Sequence, residues 1–487
     1  MATVPIGLVG TSNRAGSIAQ QSGRSINLYP ELNDQDAKAA VALHSAPGIT
    51  TWGDLSAHGD IRGQHRMGDR LFVMAGSSLL EVTSGSFGTP TLRGTLATTS
   101  GRVGISDNNG KLIIGDGLFW LIDPAGSTTP AAILDDGEEQ LTGTFSVWID
   151  SYTAYFLDDA ATPGRYRYSA LNDPATINGE DFMTAEGDPD QTVWAGNLNR
   201  QLVMLGERSA QFAYDSGGSD NAFSPVSGAF QHVGCLCRWT AQIYSSEVVF
   251  VGTNDDGAGG VYAIAAQGAS YEKVSSPAVD EAVRQALKTN DPETFTAFTY
   301  DEGAHSFYVL NLPTGTWAYE KGMGWHERAR LNPDTGLLER IRQDYAIYWK
   351  GAHRCGAYDS GKIYTQSKDL YVDDADPLLR RRETSHLAYE GKTVWIDKLW
   401  LDMEVGVGLD GSGAGTNPQV MLQTSIDGGR SFSNEMLRRA LGAIGATRTR
   451  VQYDRLGRAT DWVFRVGVSD PVPVVMIAGF ADIRVGR

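Results

Sequence analysis

Cysteine is nearly absent: Cys235, Cys237 and Cys355 are the whole complement among 487 residues. An odd count with no repeated spacing excludes a disulfide framework, and Cys235-x-Cys237 lacks the second ligand pair a structural zinc needs. Long apolar runs are missing too. The longest, such as PVPVVMIAGF, fall well short of the roughly 20 residues that cross a bilayer as a helix, so no membrane partner is expected. The opening MATVPIGLVGTSNRAGS has no basic stretch leading into an apolar one. No secretory signal is therefore expected, and the chain reads as folded in a reducing cytoplasm. Proline is scarce, with 18 residues against 57 glycines, and few stretches hold a sustained 3.6-residue apolar period. That balance disfavours a helical fold and predicts many short strands joined by turns.

Positive charge is also in short supply. The net charge is −17, which argues against sequence-reading of DNA through a broad basic face. Residues 380–487 hold 15 Lys+Arg against 12 Asp+Glu, net +3, so residues 1–379 hold 26 against 46, net −20. The acidic part reads as a solvated surface, with a wall along which DNA slides without sticking as the sharper alternative.

Signatures of chemistry are lacking as well. The eight histidines include no metal-binding spacing, there is no G-x-S-x-G elbow, and GISDNNGK departs from a phosphate loop in both spacing and its final residue. His353 and Cys355 flank Arg354 and would share a strand face, but nothing nearby offers an oxyanion hole. Carboxylate pairs such as Asp373-Asp374 read as loop solvation. No enzyme activity, metal or cofactor is expected.

What the sequence does contain is a rhythm. Hairpin-like words begin at Asp69 (DRLFVMAGSSLLEV), Gly110, Ser146, Asn199, Ser246, Glu302 and His353, spaced 41, 36, 53, 47, 56 and 51 residues apart. Most carry two β-branched or aromatic runs around a Gly-, Asn- or Asp-bearing turn, the footprint of propeller blades. Tandem β-sandwiches are the alternative. One helix interrupts the pattern near 277–290: Ser276 caps it, Pro277 opens it, and Val279, Ala282, Val283, Ala286 and Leu287 form its apolar stripe. After about residue 370 the texture changes. DDADPLLRRRETS reads as a linker or hinge, and alternating strands such as TVWIDKLWLDMEVGVG follow. The expected fold is all-β: a β-propeller-like domain of six or seven blades over residues 1–370, then a C-terminal β-sandwich over 371–487.

Two local features stand out in that C-terminal part. Ser425, Asp427, Gly429 and Phe432 fit the Asp-box S-x-D-x-G-x-[ST]-[FW], a hairpin device in which the Asp accepts backbone N–H groups and glycine supplies a positive φ. Arginines cluster at Arg380, Arg381, Arg382, Arg438, Arg439, Arg448, Arg450, Arg455 and Arg458. Arg380–Arg382 with Arg448, Arg450, Arg455 and Arg458 are candidate contacts to the acidic face of a neighbouring subunit; protection of exposed strand edges is the alternative.

Several stretches resemble one family. GRSINLYPEL with HSAPGITTW is similar to the opening of packaged-DNA-stabilisation proteins, the tail accessory or tail hub proteins of short-tailed phages. RYRYSALNDPATINGEDFMTAEGDPD with LVMLGERSAQFAYDSG resembles that family's core. SIDGGRSFSNE with RVQYDRLGRATDWVFRVGVSDPVPVVMIAG resembles its C-terminal region. From Ala258 to Leu370 the assignment rests on periodicity alone. The resemblance implies a non-enzymatic virion protein that forms a ring, a hexamer, below the portal and a head-tail adaptor. Such a ring would continue the DNA channel, retain the packaged genome, and attach tailspikes, tail fibres or a needle. Two other readings compete. One is a sialidase-like propeller hydrolase or glycan-binding tail protein, which should carry several Asp-boxes where one is found. The other is a receptor-binding tail fibre, which should carry long fibrous repeats.

Overall fold

A computed structural model describes residues 2–486 except 14–16, 35, 186, 189, 219–220, 255–256, 258, 267, 269 and 435. The chain is all-β, a propeller joined to a sandwich, and among the described residues Pro277–Leu287 is the one α-helix. Seven four-stranded blades follow in order, their inner strands Ile61–Met67, Gly104–Asn108, Thr142–Ile149, Thr192–Leu198, Gln242–Tyr244, Thr296–Glu302 and Ile347–Trp349. Each inner strand returns through a two-residue turn, so that Met67 faces Arg70, Asn108 Lys111, Ile149 Tyr152, Leu198 Gln201, Tyr244 Glu247, Glu302 His305 and Trp349 Ala352. Asn109–Gly110, Asp150–Ser151 and Asn199–Arg200 have positive φ at both turn positions, as do Ser245–Ser246 and Lys350–Gly351. That geometry matches the twist of the flanking strands, which is why turn-forming residues recur there.

Both faces of a blade are buried, so its strands are apolar on both sides. Leu71 and Val73 pack towards the seventh blade, with Trp349 and Ile363, whereas Phe72 and Met74 pack towards the second, with Leu112 and Ile114. The helix follows the fifth blade. The Ser276 hydroxyl accepts the Val279 N–H, and Ala278, Val279, Val283 and Ala286 are buried between the fifth and sixth blades.

Closure of the propeller depends on the N-terminal segment. The outer strand of the seventh blade is Gly48–Asp54, which pairs with Lys362–Ser367 before the chain enters the first blade. The strands ahead of it lie in the sandwich. Ala2–Pro5, Leu28–Leu32 and Val41–Ser45 lie in one sheet of the sandwich with Val475–Val485, Val394–Met403 and Val451–Ala459. Arg24–Ile26 lies in the other, against Arg380–Glu383, followed by Asp461–Val468, Gln419–Ser425 and Leu437–Ala440. The pairing therefore differs from a division at 370/371, because early strands complete a sheet that the later chain leaves short. DDADPLLRRRETS is likewise no linker: it forms the hairpin Val372–Asp373/Asp376–Pro377 and an interior strand of the sandwich.

Arg24–Ile26 also pairs in parallel with the sixth blade through Ile26 and Glu327, making one continuous sheet of the two units. Asn27 fixes this joint. Its amide donates to the carbonyls of Ala329 (2.7 Å) and Leu379 (2.8 Å), and its Oδ1 accepts the Ala329 N–H (3.0 Å). Its φ of 53° is one that asparagine tolerates better than most residues. Beside it Arg24 chelates Glu327, and Tyr29 packs edge-on against His305 and Phe307 of the sixth blade.

Asp373 is buried where the strand Gly48–Asp54 meets the hairpin, so it is not a solvated loop acid. Burial raises its carboxyl to a pKa of about 6, with Arg342 opposing the rise. An acid whose folded pKa lies above its unfolded value of about 3.9 loses stability as pH rises between the two. The Asp373→Asn variant is expected to shed this dependence. Relative to wild type it should be more stable at pH 7 than at pH 4 by on the order of 2 kcal/mol in urea unfolding.

Candidate assembly surface

The candidate arginines separate into an interior set and an exposed set. Arg380 is 0% exposed and Arg382 3%. The Arg380 guanidinium donates to the carbonyls of Tyr371 (3.2 Å) and Val472 (3.1 Å). That of Arg382 donates to the Gly10 and Thr11 carbonyls (both 3.0 Å) and to the Ser25 hydroxyl (2.8 Å). Arg381 is half-buried beside Arg465 and Glu383. Burial lowers all three to pKa values of about 10. Arg380 and Arg382 are therefore corrected from subunit contacts to internal ties: a guanidinium on an interior strand must spend its donors on carbonyls within reach.

Arg448, Arg450, Arg455 and Arg458 are exposed. They lie on or just before Val451–Ala459, the last strand of one sandwich sheet, while Arg438 and Arg439 lie on Leu437–Ala440, the last strand of the other. The two edges meet where Arg439 Nε donates to the Gln452 carbonyl (2.7 Å). One side of the sandwich thus presents a row of arginines, of which Arg448, Arg450, Arg455 and Arg458 form no ion pair among the described residues.

The Asp-box residues make a closed turn. Asp427 accepts the Ser431 N–H (2.9 Å) and hydroxyl (2.5 Å), and Ser425 Oγ donates to Asp427 (2.7 Å) while accepting the Gly429 N–H (2.8 Å). These bonds hold the Asp427 carboxyl far below the usual range. Phe432 lies 3.6 Å beneath the Arg465 guanidinium. Every acceptor is used in shaping the hairpin.

Elsewhere the groups that chemistry would need are occupied or buried. Cys235, Cys237 and Cys355 are unpaired and buried, and burial pushes each thiol up. Next to Cys355, His353 Nε2 lies 2.7 Å from the Asp301 carbonyl. Among the described residues no three His, Cys, Asp or Glu side chains cluster as metal ligands. The propeller axis holds a cavity of about 330 Å³ that residues of all seven inner strands or their flanks reach, Gln64, Ile105, Ser146, Ala195, Gln242 and Thr299 among them. Its wall includes Arg102, which pairs with Asp344 and lies over Tyr345 (4.1 Å) and Trp239 (5.3 Å). Asp344 also accepts Arg340 (2.6 Å). Sequence reading missed this network, although counting back three or four residues from each inner turn reaches much of the cavity wall.

The fold defines the class: an all-β chain, a propeller joined to a sandwich, whose polar side chains tie strands together. The comparisons give the class its name. Residues 4–369 match the family described as "Bacteriophage P22 Gp10, beta-propeller", and residues 380–484 match "Bacteriophage P22 Gp10, beta-sandwich". The chain belongs to this family of phage tail-hub, DNA-stabilisation proteins. No curated protein matches it. Solved structures resemble it only in outline. The computationally designed Ika8 protein is 12% identical with a TM-score of 0.38, covering 74% of this chain and 99% of its own. The extracellular domain of the putative one component system BT4673 from B. thetaiotaomicron is 7% identical (TM-score 0.44; 65% of this chain, 40% of its own). The WD40 propeller of Doa1 is 9% identical (TM-score 0.39; 66% and 97%).

The two arginine sets should behave oppositely. Arg382→Ala strands buried acceptors and should cost about 3 kcal/mol in chemical unfolding, whereas Arg455→Ala should stay within about 0.5 kcal/mol of wild type.

Proposed function

We propose that this protein is a non-enzymatic tail-hub subunit. Six copies form a ring below the head-tail adaptor, retain the packaged genome, pass DNA through the lumen without reading sequence, and attach tailspikes, fibres or a needle. Assembly takes place in the host cytoplasm. The observation that carries this reading is the family match over nearly the whole chain. The axial cavity supports it from the opposite direction. At about 330 Å³ it is far too small for a duplex, whose major groove alone is about 12 Å wide. A DNA channel must then run between subunits rather than through one propeller. The exposed arginine edge and the acidic remainder of the chain supply opposite charges for neighbouring copies.

Light scattering and electron microscopy of the purified protein, alone and with its adaptor, test the reading. A ring, formed alone or on the adaptor, is expected. Reversing Arg448, Arg450, Arg455 and Arg458 to glutamate should abolish it while the monomer keeps its melting temperature. Monomers that ignore the adaptor would contradict the hub assignment.

A further inference from the structure

Buried hydrogen-bond donors almost always find an acceptor. Two exceptions line one cavity, between the third and fourth blades. It holds about 350 Å³ and is walled chiefly by Met183, Met204, Phe212, Val226 and Phe230. Tyr166, 1% exposed, lines it from the third blade. Its ring stacks on Phe156 (5.3 Å), and its hydroxyl bonds to nothing among the described residues. Gln211 lines it from the fourth blade. Its Oε1 accepts the Gly187 N–H (3.3 Å), while its buried Nε2 has no partner.

No charged side chain is among the described residues that line this cavity. The acids nearby in the chain are occupied: Asp188 pairs with Arg208 (3.8 Å), and Asp190 accepts the N–H groups of Arg208 and Ser209 (2.8 and 3.1 Å). Arg165 and Arg167 flank Tyr166 on its strand and so point to the other face of the blade, where both lie over Phe182 (4.8 and 5.2 Å). An ion entering the cavity would shed its hydration with no opposite charge in return, so the occupant is neutral. Two idle donors require an acceptor oxygen on it. The volume lies at the lower end of the roughly 300–1,000 Å³ of ligand pockets, which suits one aromatic side chain. A neutral ring with an oxygen at its tip is a tyrosine. Strand edges supply the rest. Phe182–Thr184 and Phe223–Pro225 are the last strands of their blades. Pro225 has no N–H to offer, which leaves Phe182–Thr184 as the edge open to another strand. We infer that this edge and cavity dock an extended segment of a partner protein. The segment adds a strand beside Phe182–Thr184 and sends one tyrosine into the cleft, where Tyr166 and Gln211 donate to its phenolic oxygen.

Fluorescence anisotropy of the full-length protein with a labelled heptapeptide, six threonines around one central tyrosine, tests this. Peptides with phenylalanine or alanine at the centre are the comparators, and N-acetyltyrosine amide is the free small molecule. The tyrosine peptide should bind about tenfold more tightly than the phenylalanine one, which in turn should exceed the alanine one. The free amide should bind at least tenfold more weakly than the peptide, because it adds no strand. Tyr166→Phe removes a hydroxyl that bonds to nothing in the free protein. It should leave the melting temperature no lower and cut the preference for tyrosine over phenylalanine to about threefold or less. Met183→Trp fills the cleft and should bring the tyrosine peptide down to the level of the alanine one. Equal binding of the three peptides, a tyrosine preference that survives Tyr166→Phe, or a free amide as tight as the peptide would overturn the assignment. Neither the ring nor the adaptor enters this measurement.

Discussion

A short strand, Arg24–Ile26, and the residue after it hold the molecule together. It stands between the sixth blade and the sandwich, pairing with one in parallel and the other antiparallel. Asn27 extends the join by bonding backbone groups at Ala329 and Leu379, 302 and 352 residues further along the chain. The buried Arg382 then binds Gly10, Thr11 and Ser25 to the same sheet. Because buried backbone groups must find partners, removing any of these ties would leave several polar atoms stranded at once. A few residues further on, Gly48–Asp54 closes the propeller. The first fifty or so residues thus set the geometry of both units.

That arrangement explains what could and could not be read from the sequence. Each hairpin word carries a turn between its two runs, and positive-φ pairs such as Asn109–Gly110 and Asn199–Arg200, which few residues accept, mark where words begin. The helix was legible for the same reason, through Ser276 and Pro277. Strands such as Ala2–Pro5 were not, since Thr3 pairs with Asp482 at the far end of the chain and no local pattern encodes a partner at that distance. The arginines failed differently. A run of three reads as surface, yet strand alternation turned Arg380 and Arg382 inward, where only tertiary structure supplies the carbonyls that satisfy them. Arg455 and Arg458, on an edge strand, stayed outside.

The thiols are buried, the Asp-box is consumed by its own turn, and Arg102 and Asp344 occupy the propeller axis. What remains at the surface is charge of two signs and an apolar cleft between the third and fourth blades, the materials of contacts with other molecules.

The continuous sheet through Arg24–Ile26 should make the propeller and sandwich unfold together. Differential scanning calorimetry of the intact protein and of the Asn27→Ala variant measures it directly. A single transition is expected in the intact protein, with calorimetric and van't Hoff enthalpies in agreement, and it should split or broaden when Asn27 is lost. Two separate transitions in the intact protein, left unchanged by the substitution, would contradict it.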